Sequence, residues 1–206
     1  MSAADGIIDL YSRHAEGWDA DRGRDLTSEQ PWLDAFLAHI PPTGQVLDLG
    51  CGSGEPIARY LIEQGRALTG VDASPGAVAL CRERFPEHGW IVADMRGLDL
   101  GRRFDGLIAW HSSFHLTRPD QRALFEVFAR HLRPGGVLIF TSGDEDGEKI
   151  GKWRGEPLYH ASLSTAEYQA RLEGAGFEVI THVVGDHDNG GVTVWLARLG
   201  DGRIGE

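Results

Sequence analysis

Val46-Leu47-Asp48-Leu49-Gly50-Cys51-Gly52-Ser53-Gly54 is the stretch whose reading decides the fold. A short apolar run ends in three glycines spaced by one residue. Glycine tolerates positive φ and lets another backbone or a ligand approach closely, so this reads as a buried strand ending in a tight turn. The pattern then repeats. Residues 56–63 read as a helix and 67–71 as a second strand. Ser74-Pro75 opens another helix, with serine suited to the cap and proline to the first turn. Val78, Cys81 and Phe85 line one face of it. Residues 90–93 read as strand three. Residues 104–110 read as strand four, almost wholly apolar, as a parallel strand covered on both faces should be. Leu124, Phe128 and Leu132 give the stripe of the next helix, Pro134-Gly135-Gly136 ends it, and residues 137–141 read as strand five.

Working outward, residues 1–40 read as helical. Ile7, Leu10, Tyr11 and His14 fall at helical spacing, and Pro31 opens a second short helix to about His39. On the other side, residues 143–163 have no regular pattern. Ser164-Thr165-Ala166-Glu167 is a capping box; its helix turns Tyr168, Leu172 and Ala175 inward and stops at Gly176. Two β-rich runs follow, 177–184 and 192–199. The segment between them is too short for the crossover that parallel strands need, so they read as an antiparallel hairpin. Strand–helix alternation makes this an α/β chain, a three-layer, Rossmann-like sandwich with helices on both faces of a mostly parallel sheet. At 206 residues it reads as one domain, 1–206. Ligands of such sheets bind beyond the carboxyl ends of the strands. The residues after strands one to five are therefore the ones that matter.

Composition narrows the partners. Twenty Lys plus Arg stand against 31 Asp plus Glu, a formal charge of −11. Nucleic-acid affinity rests on basic patches and counterion release, so a polynucleotide partner is not expected. No apolar run approaches the length that spans a bilayer, and residues 1–10 lack the basic-then-apolar pattern of a signal peptide. No membrane partner is expected. The two cysteines, Cys51 and Cys81, form no CxxC pair or Cys/His cluster, so no metal site is expected, and reduced thiols fit a cytoplasmic protein.

Asp72 follows strand two in Gly70-Val71-Asp72-Ala73-Ser74, 20 residues after Gly52, the spacing at which an acid reaches ribose hydroxyls. Ser74 already fills the helix-cap place, which weakens capping as the role of Asp72. Asp94 follows strand three in Ala93-Asp94-Met95, where a carboxylate can accept from an adenine amine and Met95 can pack on the ring. Asp48 near the end of strand one, Asp72 after strand two and Asp94 after strand three, with the glycine turn, are much more specific than any one of them.

With these motifs the chain resembles the class I S-adenosylmethionine-dependent methyltransferases over about residues 45–199, and within them uncharacterised bacterial small-molecule members. Residues 46–54 resemble the family's first motif. Gly70-Val71-Asp72-Ala73-Ser74 and Ala93-Asp94-Met95 resemble its ribose and adenine motifs, and residues 132–138 resemble the approach to its fifth strand. The resemblance implies a seven-stranded sheet of order 3-2-1-4-5-7-6 with the seventh strand antiparallel. It implies S-adenosylmethionine held by Asp48, Gly50, Gly52, Gly54, Asp72, Ala73, Asp94, Met95 and Trp110. It also implies an N-terminal lid, residues 1–40, in which Tyr11, Trp18 or Arg22 closes over the methionine carboxylate.

Methyl transfer is an in-line displacement in which the enzyme mostly supplies position. A base matters when the acceptor arrives protonated. His111 and His115, after strand four, are the candidates because histidine titrates near neutrality. Amino-methylating members that act on nucleic acids or glutamine carry an acid or Asn, then Pro-Pro, then an aromatic here. This chain has Trp110-His111-Ser112-Ser113, so a small-molecule acceptor is expected. Trp153, Tyr159 and His160 lie in the 143–163 segment, read as a substrate-side insert, and Tyr159 and His160 are expected to face the acceptor. Two alternatives stay open at this stage. One is an NAD(P)-dependent oxidoreductase, which uses a similar turn and acid. The other is a module that binds the methyl donor without turnover.

Overall fold

The computed structural model describes residues 3–26 and 28–201. Met1, Ser2 and Thr27 of the expected lid, and the last five residues, lie outside them. In chain order the first elements are α1 (Ile7–Arg13), α2 (Ala15–Arg22), α3 (Gln30–Leu37), β1 (Gln45–Leu49), α4 (Ile57–Glu63), β2 (Ala67–Asp72), α5 (Pro75–Arg84), β3 (Gly89–Val92) and β4 (Phe104–Ala109). Then follow α6 (Arg118–His131), β5 (Leu132–Ser142), β6 (Gly147–Trp153), β7 (Glu156–Ser162), α7 (Thr165–Gly174), β8 (Phe177–Asp186) and β9 (Val192–Leu199).

Alternation along the strands builds two cores. Val46, Ile108, Val137 and Ile139 point to one face of the sheet, where α3, α4 and α5 cover them with Leu33, Phe36, Ala58, Leu61, Val78 and Cys81. Leu47, Leu49, Leu107, Leu138 and Phe140 point to the other, under Leu124, Phe125 and Phe128 of α6 and Leu172 of α7. Each large apolar side chain so covered contributes about 1.5–3 kcal/mol. This is the expected three-layer sandwich.

The large sheet runs β3-β2-β1-β4-β5-β9-β8. Strands β1 to β5 pair in parallel, and β9 lies antiparallel between β5 and β8. The order implied by the resemblance, 3-2-1-4-5-7-6, is this order with β8 and β9 as its sixth and seventh strands. The numbering shifts because of a feature the sequence did not suggest. Residues 143–163 are not irregular: β6 and β7 form a two-stranded antiparallel sheet of their own, from Gly147↔Ser162 to Trp153↔Glu156. Its tight turn is Arg154-Gly155, both at positive φ, +50° and +83°, as the two-residue turns that suit strand twist require.

Smaller corrections follow from local chemistry. The N-terminal segment holds three α-helices rather than two, because the chain breaks at His14 (φ −116°, ψ 24°) between α1 and α2. Leu132 leaves the helix early and pairs with Phe104 in β5, so it belongs to the sheet. The serine caps hold: Ser74 Oγ accepts from the N–H of Ala77 at 3.3 Å, and Ser164 Oγ accepts from that of Glu167 at 3.1 Å, while the Glu167 carboxylate, the other half of the expected box, is held by Arg122 at 2.6 Å.

Candidate functional site

A cleft opens at the carboxyl ends of β1, β2 and β4, with α1 and α2 above it. Its floor is the glycine turn. Gly50, Gly52 and Gly54 take φ of +79°, +53° and +80°, a region that other residues enter only under strain. Each serves a different end. A Cβ on Gly50 would stand 2.2 Å from Ser112 Cβ, while Ser112 Oγ donates to the carbonyl of Leu49 at 2.7 Å. A Cβ on Gly54 would meet the Phe85 ring at 3.0 Å and Cys81 Sγ at 3.3 Å, so this glycine serves packing and does not line the cleft. A Cβ on Gly52 would meet only the indole of Trp18, at 3.5 Å, so space above the turn stays open.

Asp72 ties the ends of two strands together. Its Oδ2 accepts from the N–H of Gly52 at 2.9 Å and its Oδ1 from that of Ser74 at 2.8 Å. Each oxygen keeps a second lone pair for a ligand. Burial raises its pKa, with the two backbone N–H groups acting the other way. Asp48 lies 3% exposed beneath the turn. Burial first, and then the negative charge of Asp72, push its pKa up from 3.8 to about 7.

Asp94 is held by a residue the sequence reading passed over. Arg96 donates from Nε to Asp94 Oδ2 at 2.8 Å and from its backbone N–H to Oδ1 at 2.9 Å. Burial raises the Asp94 pKa, but these bonds outweigh it and the carboxyl stays below its usual range. The Asp-x-Arg spacing was the signal that could have found this, since an Asx turn brings residue i+2 back over the carboxylate.

After β4, Trp110 is 5% exposed and its Nε1 has no partner among the described residues. His111 stands at φ +49°, with its backbone N–H on Thr141 Oγ1 at 2.9 Å. Burial, and after it the Arg22 charge, lower the His111 pKa to about 4, with Glu29 opposing. Arg22 itself is held at 2.7 Å by Glu29, a buried acid that no sequence motif marks, because it lies in a helix cap with no fixed pattern. His115 is likewise lowered to about 4, by burial above all.

Two sets of contacts hold α1 and α2 down. Asp19 of α2 bonds Arg84 of α5 at 2.6 Å through each carboxylate oxygen, and that hydrogen bond keeps Asp19 far below the usual carboxylate range. The β6–β7 turn grips from the other side. Trp153 stacks on Tyr11 at 5.5 Å and meets the edge of Trp18 at 5.8 Å. Arg154 bonds Asp21 at 2.9 Å and the carbonyl of Gly17 at 3.1 Å. Glu156 pairs with Arg13 and, at 2.7 Å, with His14.

Of the residues singled out from sequence, Tyr11, Trp18, Arg22, Asp48, Gly50, Gly52, Asp72, Ala73, Asp94, Met95, Trp110, His111 and His115 all line the cleft. Gly54, Trp153, Tyr159 and His160 do not. Tyr159 and His160, expected to face the acceptor, are thus not part of the lining of this cleft. Tyr159 is 4% exposed and packs with Ile7 and Ala161, because strand alternation in β7 turns it inward. His160 sits behind the wall, 4.7 Å from the His115 ring and 5.3 Å from that of Phe114. Among the described residues, no group of three or more His, Cys, Asp or Glu is placed to hold a metal ion. No helix among them is long and apolar enough to cross a membrane.

This geometry has known counterparts. A family model described as a methyltransferase domain matches residues 46–136. The trans-aconitate 2-methyltransferase of Methylobacterium nodulans is 30% identical over 212 residues, 89% of this chain and 79% of the relative. The chain belongs to the S-adenosylmethionine-dependent methyltransferase family. Another relative of this methyltransferase-family chain is a dTDP-3-amino-3,6-dideoxy-α-D-glucopyranose N,N-dimethyltransferase of Streptomyces fradiae, 32% identical over 65% of the chain and 51% of the relative. The chain thus spans about half the length of the first curated relatives it matches. Among solved structures, the 1,6-didemethyltoxoflavin-N1-methyltransferase of Burkholderia thailandensis has a TM-score of 0.73 at 21% identity, covering 98% of this chain and 92% of that one. That likeness is one of fold.

Proposed function

We propose that this chain transfers a methyl group from S-adenosylmethionine to a small-molecule acceptor. One observation carries the reading: the Asp72 carboxylate, from the end of β2, is fastened at 2.9 Å to the glycine turn at the end of β1, inside a cleft covered by helices. The residues fit the donor. Gly50 and Gly52 leave backbone bare where a side chain would intrude, Asp72 offers two free lone pairs to a ribose diol, and Trp110 brings an unpartnered N–H to the cleft wall.

In this reading Gly50 and Gly52 lie along the amino-acid part of the donor, Asp48 faces its cationic end, and Arg22 takes its carboxylate. Asp72 with Ala73 holds the ribose. Asp94, steadied by Arg96, and Met95 hold the adenine. Trp110 flanks the sulfonium. The donor supplies a methyl group on electrophilic sulfur. The protein supplies alignment, which can lower a barrier by about 7–11 kcal/mol, and α1 and α2 exclude water from the reacting centre. His111 and His115 are uncharged at neutral pH, since both are lowered to about 4, and can therefore accept a proton.

We read residues 1–206 as one unit, with 1–40 as its lid and 143–163 as the brace of that lid. The net charge of −11 supports a small acceptor over a nucleic acid. The buried free thiols Cys51 and Cys81 support a reducing, cytoplasmic setting. Calorimetry tests the donor: S-adenosylhomocysteine is expected to bind and NADH is not. A screen with labelled S-adenosylmethionine over amines, phenols, carboxylates and thiols tests transfer. Tight donor binding with no product from any class would reduce the chain to a binding module.

A further inference from the structure

Tyr11 Oη, on α1, lies 3.0 Å from His115 Nε2, and His115 Nδ1 lies 2.8 Å from the backbone carbonyl of Tyr159. A carbonyl only accepts, so in the neutral ring Nδ1 carries the proton and Nε2 is bare. The Tyr11 hydroxyl therefore donates to Nε2. Its oxygen keeps lone pairs for another partner, and both residues line the cleft. His131 shows what a purely structural histidine does here. Its Nδ1 lies 2.8 Å from the carbonyl of Val127, and its Nε2 accepts from the N–H of Leu100 at 3.0 Å, all within the core. His115 has the same lower half, but its upper partner is a hydroxyl on a helix that covers the site.

We propose that Tyr11 and His115 form a proton relay for a hydroxyl acceptor, complete only while α1 lies over the cleft. The proposal rests on the methyl-transfer reading above. The acceptor oxygen bonds the methyl carbon as the sulfur–methyl bond breaks, its electron pair staying on sulfur. The acceptor proton passes to Tyr11 Oη while the proton of Tyr11 passes to His115 Nε2. His115 becomes an imidazolium, still held through Nδ1–H, and returns its proton to water when the helix lifts.

The surroundings fit a relay rather than a standing base. Burial, and then Asp72, raise the Tyr11 pKa, so the phenol gives up its proton only as it gains another. His115 is faced by His160 and His111, both lowering it after burial has done so, with the Tyr159 carbonyl opposing. A ring lowered to about 4 is a weak base. That is enough for a hydroxyl, whose proton becomes strongly acidic as the oxygen takes up a methyl group. A neutral amine leaves as a stable cation and asks for no base during the transfer, only for loss of a proton beforehand where it arrives as an ammonium.

The test uses the full chain with S-adenosylhomocysteine added. In nitrogen-15 histidine spectra near neutral pH, His115 is expected as the Nδ1–H tautomer, and Tyr11→Phe should move its Nε2 resonance. With labelled donor and phenol, catechol or benzyl alcohol as acceptor, Tyr11→Phe and His115→Gln should each lower kcat about 100-fold. The double variant should fall no further, and KM for the donor should hold within about threefold. Turnover of thiophenol, which arrives ionised, should fall far less. An Nε2–H tautomer, additive losses, or no transfer to any hydroxyl probe while S-adenosylhomocysteine still binds would overturn the relay. Failure of wild-type S-adenosylhomocysteine binding would instead overturn the methyl-transfer reading.

Discussion

Asp48→Asn should make the protein more stable and worse at holding its methyl donor. Asp48 is buried with its pKa raised from 3.8 to about 7. For a carboxyl raised in the folded state the sign is fixed: the unfolded chain loses the proton first, so stability falls as pH rises from about 4 to about 7, then levels. At about 1.4 kcal/mol for each tenfold in acidity, the full cost is about 4 kcal/mol, reached above pH 7. An amide in the same place cannot ionise, but wants hydrogen-bond partners and forfeits about 1–3 kcal/mol. That forfeit does not depend on pH. Urea unfolding of both proteins at about pH 5 and about pH 8 therefore isolates the charge: the advantage of the variant should grow by about 2–3 kcal/mol between them. In the proposed reading the donor brings positive charge to Asp48, so S-adenosylmethionine affinity should weaken as pH falls below about 7 in the wild type only. Unfolding curves of the two proteins that move in parallel with pH would refute the reasoning, because the buried charge would then cost nothing.

Three further outcomes are expected. Gly52→Ala should unfold only about 1–2 kcal/mol more easily, the strain of a left-handed alanine, yet lose more than tenfold in S-adenosylhomocysteine affinity by calorimetry, because its Cβ meets only the Trp18 indole. Gly50→Ala should cost clearly more stability in the same unfolding assay, since Ser112 Cβ stands 2.2 Å from the new carbon. Asp19→Ala leaves Arg84 without its carboxylate and should speed amide exchange across α2. The Asp19 contribution is full above about pH 4 and fades as pH falls below it, because the bond lowers the Asp19 pKa.

The sequence carried the sheet because each signal there is local and physical. Glycines at 50, 52 and 54 announce a turn, Ser74-Pro75 and Ser164 to Glu167 announce helix starts, and the short 185–191 link forces an antiparallel return. What it hid lay in contacts between distant segments. The β6–β7 hairpin turns on Arg154-Gly155, and an arginine at positive φ carries none of the usual turn signature. Tyr159 and His160 read as cleft residues because they are polar aromatics near strand ends. Only the pairing of β6 with β7 shows that Tyr159 turns inward against Ile7. Glu29 and Ser112 act through partners that no motif spacing names, whereas Arg96 was marked only by its short spacing from Asp94.

The grip of the hairpin turn on α1 and α2 bears on how fast the protein can work. Arg13 and Glu156 are 54% and 38% exposed, and Arg154 and Asp21 are 39% and 47% exposed. Ions reach such pairs and weaken them, over a screening length of about 8 Å at physiological salt. The Asp19–Arg84 pair, at 13% and 23%, is far better shielded. In the proposed reading a spent donor lies beneath these helices, and its release is expected to follow the loosening of both fastenings. Release of this kind limits turnover in many enzymes that close over their ligands, and slow release is the expectation here. Added salt should loosen the outer fastening first and shorten that residence.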